Sequence, residues 1–405
     1  MSPRVLSILA FTLAPVGACD RTTPPPTTVV LISVDGMRHD YLDLTPLPNI
    51  GRLVDRGVRA PLVPVFPTKT FPNHYTIVTG LYADQHGIVA NTMYDPDLDA
   101  WFRLSDRQAV ADGRWWGGEP IWVTAERLGI RTAPLFWPGV EAEIRGIRPT
   151  YWLPFDDRMP NERRVTQVLE WLDLPEAERP RFITTYFSAV DIAGHDHGPG
   201  SREVIVALQE VDGMVGLLLD GLASRGMLEE TAILLVSDHG QADRAPEQVI
   251  ILDDLLPAGL AEVVDWSPVL QLRPAPGLED SVYRLLAGRH SHLRVYRKAD
   301  LPDQWHFRDS PRIHPIVALA DEGWEISSRD WHGRHPDAYD GGSHGWDPDS
   351  PAMWGVFVGS GRWFREGYRG TPFRNVHLYE LMCRLLDLTP APNAGSRDST
   401  AQFLR

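Results

Sequence analysis

Three apolar, β-branched runs end in acidic residues: Val34-Asp35-Gly36, Val190-Asp191 and Ser237-Asp238-His239-Gly240. In open α/β sheets, ligands bind at the carboxyl ends of strands, which is where such runs would deliver them. Three aspartates brought to one place repel one another unless a cation lies between them. Histidines accompany two of the three. Asp191 and His195 stand four residues apart, and His239 follows Asp238 directly. A fourth candidate is Gly341-Gly342-Ser343-His344-Gly345, whose glycines let backbone pack close beside an imidazole. Alone, each feature reads as a turn, a cap or a loop residue. Together they predict a metal site with nitrogen and oxygen ligands, the donor set of zinc and its divalent relatives.

Residues 67–80, PTKTFPNHYTIVTG, supply a nucleophile. Pro72 suits a first helical turn and Gly80 a helix stop. Thr70 then lies at a helix N-terminus, where free N–H groups and the macrodipole favour an anion. A threonine hydroxyl attacks poorly until a base or a metal depresses its pKa. Elsewhere it would be a cap; beside a metal cluster it is a candidate nucleophile.

The elements that carry these residues can be read from the same pattern. Residues 28–34, 182–190, 232–237 and 354–359 are continuous apolar runs, the mark of strands covered on both faces in a parallel sheet. Val204, Leu208, Val211, Val215, Leu218 and Leu222 form one helical stripe over residues 201–224, with Ser201 as N-cap and Gly226 as stop. Residues 120–128 and 375–386 read as helices too. Strands alternating with helices predict a three-layer α/β core over residues 27–240 and 337–405. Residues 241–336, rich in proline and charge, read as a smaller α/β insertion with strand-like pieces at 269–272 and 293–297.

Composition limits the function. The 405 residues are 43% hydrophobic and 23% charged, which excludes a disordered chain, a collagen-like repeat and a coiled coil. With 39 basic and 54 acidic residues the net charge is −15, which excludes general nucleic-acid binding. A small anionic ligand then needs a local cation. Cys19 and Cys383 are too few for a disulfide framework or a thiolate metal site. Residues 1–26 read as a leader and tether: Arg4, an apolar run of about 14 residues, then Val16-Gly17-Ala18-Cys19. That ending resembles a bacterial lipobox and predicts an exported, periplasmic or membrane-anchored protein, attached through lipidated Cys19. The alternative is a cleaved signal with an incidental cysteine.

LISVDGMRHDYL, PTKTFPNHYTIVTGLYADQHGIVANTMYD, WWGGEPIWVTA, FWPG, DIAGHDHGP, VSDHG and GGSHGWD together resemble the nucleotide pyrophosphatase/phosphodiesterase family of the alkaline phosphatase superfamily. They run in family order from about residue 28 to the C-terminus, and Val190 departs from a common proline without altering any ligand. The resemblance implies an alkaline phosphatase-like core with two zinc ions about 4 Å apart. One would be held by Asp191, His195 and His344, the other by Asp35, Asp238 and His239 with the Thr70 hydroxyl. Thr70 would form a covalent phosphodiester that water then releases as a nucleoside 5′-monophosphate. Asn91 would donate to a non-bridging phosphate oxygen, and Phe71 and Tyr186 would form the slot for the base. Asp196 and His197 read as polar support.

The leading expectation is therefore zinc-dependent hydrolysis of nucleotide pyrophosphates and nucleotide 5′-phosphodiesters. Three alternatives stay open: a choline or glycerol phosphodiesterase, a phosphomonoesterase, and a zinc-binding lipoprotein without catalysis.

Overall fold

The computed structural model describes residues 27–405; the expected leader and Cys19 lie outside them. The chain opens with central strands β1 (Thr28–Val34), β2 (Gly57–Val63), β3 (Thr132–Pro134), β4 (Phe182–Phe187) and β5 (Thr231–Val236). A second sheet follows, made of β6 (Ala261–Asp265), β7 (Val269–Pro274), β8 (Leu293–Arg297) and β9 (Ile316–Ala320). The chain then rejoins the central sheet through β10 (Gly355–Ser360), β11 (Tyr368–Arg369) and β12 (Phe373–Arg374).

The central order is β11-β2-β10-β5-β1-β4-β3, with β12 also on β2. β5, β1, β4 and β3 are parallel; β10 runs antiparallel to both neighbours. Register decides where the chemistry goes. Val34 lies opposite Phe187 and Ser33 opposite Val236, so three strands finish level at one edge.

Alternate residues of each central strand enter opposite cores, which explains the unbroken apolar runs. Val29, Leu31, Leu234 and Val236 face one layer; Val30, Ile32, Ile233 and Leu235 face the other. The helices are α1 (Thr70–Thr79), α2 (Ile121–Arg127), α3 (Asn161–Leu172), α4 (Ala189–His197), α5 (Arg202–Ser224) and α6 (Leu378–Leu386). α1, α2 and α6 cover the first face; α3, α4 and α5 cover the second. In α5 the six stripe residues are all buried, and the Ser201 hydroxyl accepts from the Val204 N–H at 3.2 Å.

One strand expectation needs correcting. The run 182–190 is not a single strand: β4 stops at Phe187 and α4 begins at Ala189. The ladder ends where β1 ends, with the Asp35 N–H donating to the Phe187 carbonyl at 2.9 Å. Val190 then buries in the first turn of α4, and apolarity alone does not distinguish that turn from more strand.

The second sheet, ordered β6-β7-β9-β8, is antiparallel. Leu270, Leu272, Ala318 and Ala320 pack on Val282 and Leu286 of the helix Glu279–Leu286. Val269, Val317 and Leu319 point the other way into the central core. The second sheet is thus fastened to the central core along one whole face.

Candidate active site

Asp35 follows β1 directly, Asp238 follows β5 after Ser237, and His239 comes next in chain. All three are essentially buried. Thr70 is the first residue of α1, opposite them, with Gly80 ending the helix at φ +66°. The His239 Nε2 atom lies 3.0 Å from Asp238 Oδ2, 3.4 Å from Asp35 Oδ1 and 3.3 Å from Thr70 Oγ1. These oxygen and nitrogen atoms are the donor types that zinc and its divalent relatives take.

Asp191, in the first turn of α4, and His195 one turn later form the second group with His344. Asp191 Oδ1 is 3.5 Å from His195 Nε2 and 4.0 Å from His344 Nε2. The groups touch: the His239 and His344 rings stack at 3.6 Å, and Asp35, Asp191 and His239 also converge.

Tautomers decide what these groups can hold. His239 Nδ1 donates to the Gly240 carbonyl at 3.0 Å, His195 Nδ1 to Gly342 at 3.0 Å, and His344 Nδ1 to Thr68 at 2.8 Å. Each pin leaves Nε2 as a lone pair facing carboxylates, the arrangement of metal-ligating histidines. Asp35 Oδ1 and both Asp238 oxygens are buried without a hydrogen bond. Electron-rich atoms face electron-rich atoms, a crowding that a bound cation would relieve. Burial, with Asp238 and Asp191 nearby, pushes the Asp35 carboxyl well above its usual range. Burial and the neighbouring His239 and His195 hold His344 well below the ordinary imidazole value. The residues present fit bound metal cations.

Residues that sequence did not single out hold this arrangement in place. His74, one turn after Thr70 on α1, donates from Nδ1 to the Thr70 carbonyl at 2.9 Å while Nε2 meets Ser33 Oγ at 2.7 Å. Both nitrogens are engaged, and Nδ1 also lies 3.3 Å from Asp238 Oδ2, so that Asp35, His74 and Asp238 converge as a further group that could hold a metal. Gln241 donates to Asp191 Oδ1 at 2.7 Å. Each lies within four residues of a candidate, the signal that could have found it. Asp196 and His197 are exposed and support nothing.

Asn91 Oδ1 accepts from the Phe71 N–H at 3.0 Å, which leaves its amino group as a free donor one residue from Thr70. Phe71 and Tyr186 both line an apolar cavity of about 210 Å³ that reaches Thr70, Asp35 and Asp191. Their roles differ. Tyr186 gives its hydroxyl to Asp35 Oδ2 at 2.6 Å, and its ring meets Phe155 edge-on at 6.4 Å. Phe155, on the loop before α3, is 40% exposed and lines the same cavity. Beside it Arg107 lies over the Phe155 ring at 5.6 Å and pairs with Glu141, whose carboxylate also accepts the Phe155 N–H.

Residues 29–347 match the family model described as type I phosphodiesterase / nucleotide pyrophosphatase. Human ectonucleotide pyrophosphatase/phosphodiesterase family member 1 is 40% identical over 94% of the chain, which spans only 42% of that protein. A Schizosaccharomyces pombe protein named an uncharacterized pyrophosphatase/phosphodiesterase is 38% identical over 94% of the chain, covering 81% of its own length. An inactive murine ectonucleotide pyrophosphatase/phosphodiesterase 5 solved in complex with AMP superposes with TM-score 0.89 and 35% identity, over 94% of this chain and 100% of that one. The fold is thus the alkaline phosphatase-like one of these enzymes. Among the described residues no helix is long and apolar enough to cross a membrane.

Proposed function

The chain belongs to the type I phosphodiesterase / nucleotide pyrophosphatase family, and from that premise we propose that it hydrolyses nucleotide pyrophosphate and 5′-phosphodiester bonds to nucleoside 5′-monophosphates. The observation that carries this reading is the set of three histidines, each pinned through Nδ1 to a backbone carbonyl, with Nε2 aimed at the carboxylates of Asp35, Asp191 and Asp238 beside Thr70.

One zinc would be held by Asp35, Asp238, His239 and Thr70, the other by Asp191, His195 and His344. Bound there, the ions would supply positive charge to phosphate oxygens and lower the pKa of hydroxyl groups. The chain supplies the rest. Thr70 Oγ bonds to phosphorus as the leaving oxygen departs, forming a nucleotidyl-threonine; water then displaces Thr70 and frees the monophosphate. His74 keeps the Thr70 carbonyl fixed while the hydroxyl turns to the substrate. The Asn91 amino group faces charge developing on a non-bridging oxygen. The base enters the apolar cavity between Phe71 and Phe155, where aromatic faces stack on it.

A quaternary ammonium head group fits this cavity less well. A choline site needs aromatic faces and a free anion. Here the Phe155 face is shared with the Arg107 cation, and Glu141 is already paired. The related murine protein crystallised with AMP points the same way. The names of the relatives, ectonucleotide enzymes, support action outside the cytoplasm, in keeping with an exported chain.

A panel on zinc-loaded protein tests the reading: a nucleotide diester, a choline phosphodiester and a phosphate monoester. Turnover of the nucleotide diester should lead. Preference for either of the others overturns the nucleotide assignment.

A further inference from the structure

Thr70 and His344 belong to different groups of the site, and one residue joins them. Thr68 is wholly buried, two positions before Thr70 and 276 residues from His344. Its carbonyl accepts the His344 Nδ1 proton at 2.8 Å. Its hydroxyl accepts from the Gly345 N–H at 3.0 Å and donates to the Trp346 carbonyl at 2.9 Å. One residue is therefore bonded to three in succession, 344 to 346. Gly345 leaves little room for a different path: its φ is +117°, and a Cβ there would stand 2.6 Å from Pro268 Cδ.

The segment leading to Thr70 is held as firmly on its other side. Asn73, one turn into α1, donates to the Pro67 carbonyl at 2.9 Å and to the Lys69 carbonyl at 3.0 Å, and its Oδ1 accepts from the Val65 N–H at 2.8 Å. Lys69 is buried, and its Nζ lies 2.6 Å from Oδ2 of Asp265 at the end of β6. Thr68 thus has no slack towards the helix. A shift at residues 344–346 reaches Thr70, and a shift at Thr70 reaches His344. The carbonyl half of this join survives substitution, because every residue has a carbonyl. The hydroxyl half does not. Without it a buried N–H and a buried carbonyl each lose a partner, a cost that backbone movement would relieve.

Resting on the phosphodiesterase reading above, we propose that the Thr68 hydroxyl is a positioning group that sets the spacing between Thr70 and His344, and so between the nucleophile and the cation site of Asp191, His195 and His344. In-line displacement needs the phosphate to meet both at once, and a misplacement of about 1 Å costs on the order of 10²-fold in rate.

Thr68→Val keeps the branched shape and removes the hydroxyl. In zinc-loaded protein it should lower kcat about tenfold or more, alike on a nucleotide diester and on a diester without a base, with KM within about twofold. A chelator should strip zinc from it at about tenfold lower concentration than from the parent, the scale for groups that orient metal ligands. Thr68→Ser should restore both. Parental kcat and zinc retention in Thr68→Val, with or without a lower melting temperature, overturn the proposal, as does no recovery in Thr68→Ser. Should Thr68→Val not fold, Thr68→Ala against Thr68→Ser decides, since those two differ only in the hydroxyl, and equal kcat and zinc retention in them overturn the proposal. Parental protein that retains zinc yet turns over no phosphodiester would instead fail the phosphodiesterase reading, and zinc retention alone then judges Thr68.

Discussion

Asp35, Asp238 and His239 are 0–1% exposed at strand ends, whereas Phe155 is 40% exposed on a connecting loop. Both regions border the same cavity or centre, and opposite physics builds them. The floor is polar, buried and held by backbone: sheet register sets the aspartates level, and main-chain carbonyls fix the imidazole tautomers. The walls are apolar, half-open and carried by segments that the sheet does not constrain. The difference separates two jobs. Changes in the floor should cost turnover on every substrate, because each atom there faces the reacting phosphate or what holds it. Changes in the walls should cost selectivity, because they touch only the parts of a substrate that do not react.

The largest effects break the floor. Chelation should abolish hydrolysis of all diesters and zinc should restore it, since the facing carboxylates and imidazoles are arranged to hold a cation. The melting temperature should fall on chelation and recover with zinc, because the converging Asp35, Asp191 and Asp238 then repel one another. Full turnover in metal-free protein would remove the two-cation reading. Thr70→Ala should likewise eliminate nearly all turnover, yet keep metal content near that of the parent, because six ligands remain. Thr70→Ser should keep measurable activity through its hydroxyl. An alanine variant with more than about a few per cent of parental activity would favour direct attack by water.

Asn91→Ala comes next, at ~10²-fold in kcat, the scale of losing one donor to a transition-state oxygen. The Phe71 N–H would also lose its acceptor, so the cavity wall shifts with it. A raised KM with kcat unchanged would place Asn91 with the walls instead of the floor.

The same division explains what was legible in the sequence. Asp35 and Asp238 could be read because apolar strand runs deliver whatever follows them to one edge. Thr70 could be read because Pro72 and Gly80 bracket its helix. The helix carrying Asp191 could not, since a buried first turn and a strand share the same apolar letters. The carbonyls of Gly240, Gly342 and Thr68 that orient the histidines are backbone, and backbone acceptors leave no trace in residue identity. Phe155 gave no signal because the cavity wall arises from segments brought together by packing, at sequence separations no local pattern spans. Tyr186 was legible as an aromatic near the site, but its hydroxyl bond to Asp35 was not.

Tyr186 is where floor and wall meet, and it gives the smallest and sharpest test. Its ring lines the apolar cavity and its hydroxyl holds Asp35. Tyr186→Phe keeps the ring and removes the hydroxyl, so Asp35 Oδ2 loses its partner within a buried, crowded set of carboxylates. That loss is indifferent to the base: turnover should fall by a similar factor, about tenfold for one charge-assisted hydrogen bond, on a nucleotide ester and on a diester without a base. Phe155→Ala leaves Asp35 untouched and removes a stacking face. It should cost about 1–3 kcal/mol in kcat/KM on the nucleotide ester and little on the diester without a base. Measuring both variants on both substrates gives four numbers with one expected pattern, equal losses along one row and unequal losses along the other. If Tyr186→Phe instead proved selective for the nucleotide, its hydroxyl would be reading the ligand rather than holding Asp35. If Phe155→Ala lost equally on both, Phe155 would be packing, and the base would have to lie against Phe71 alone.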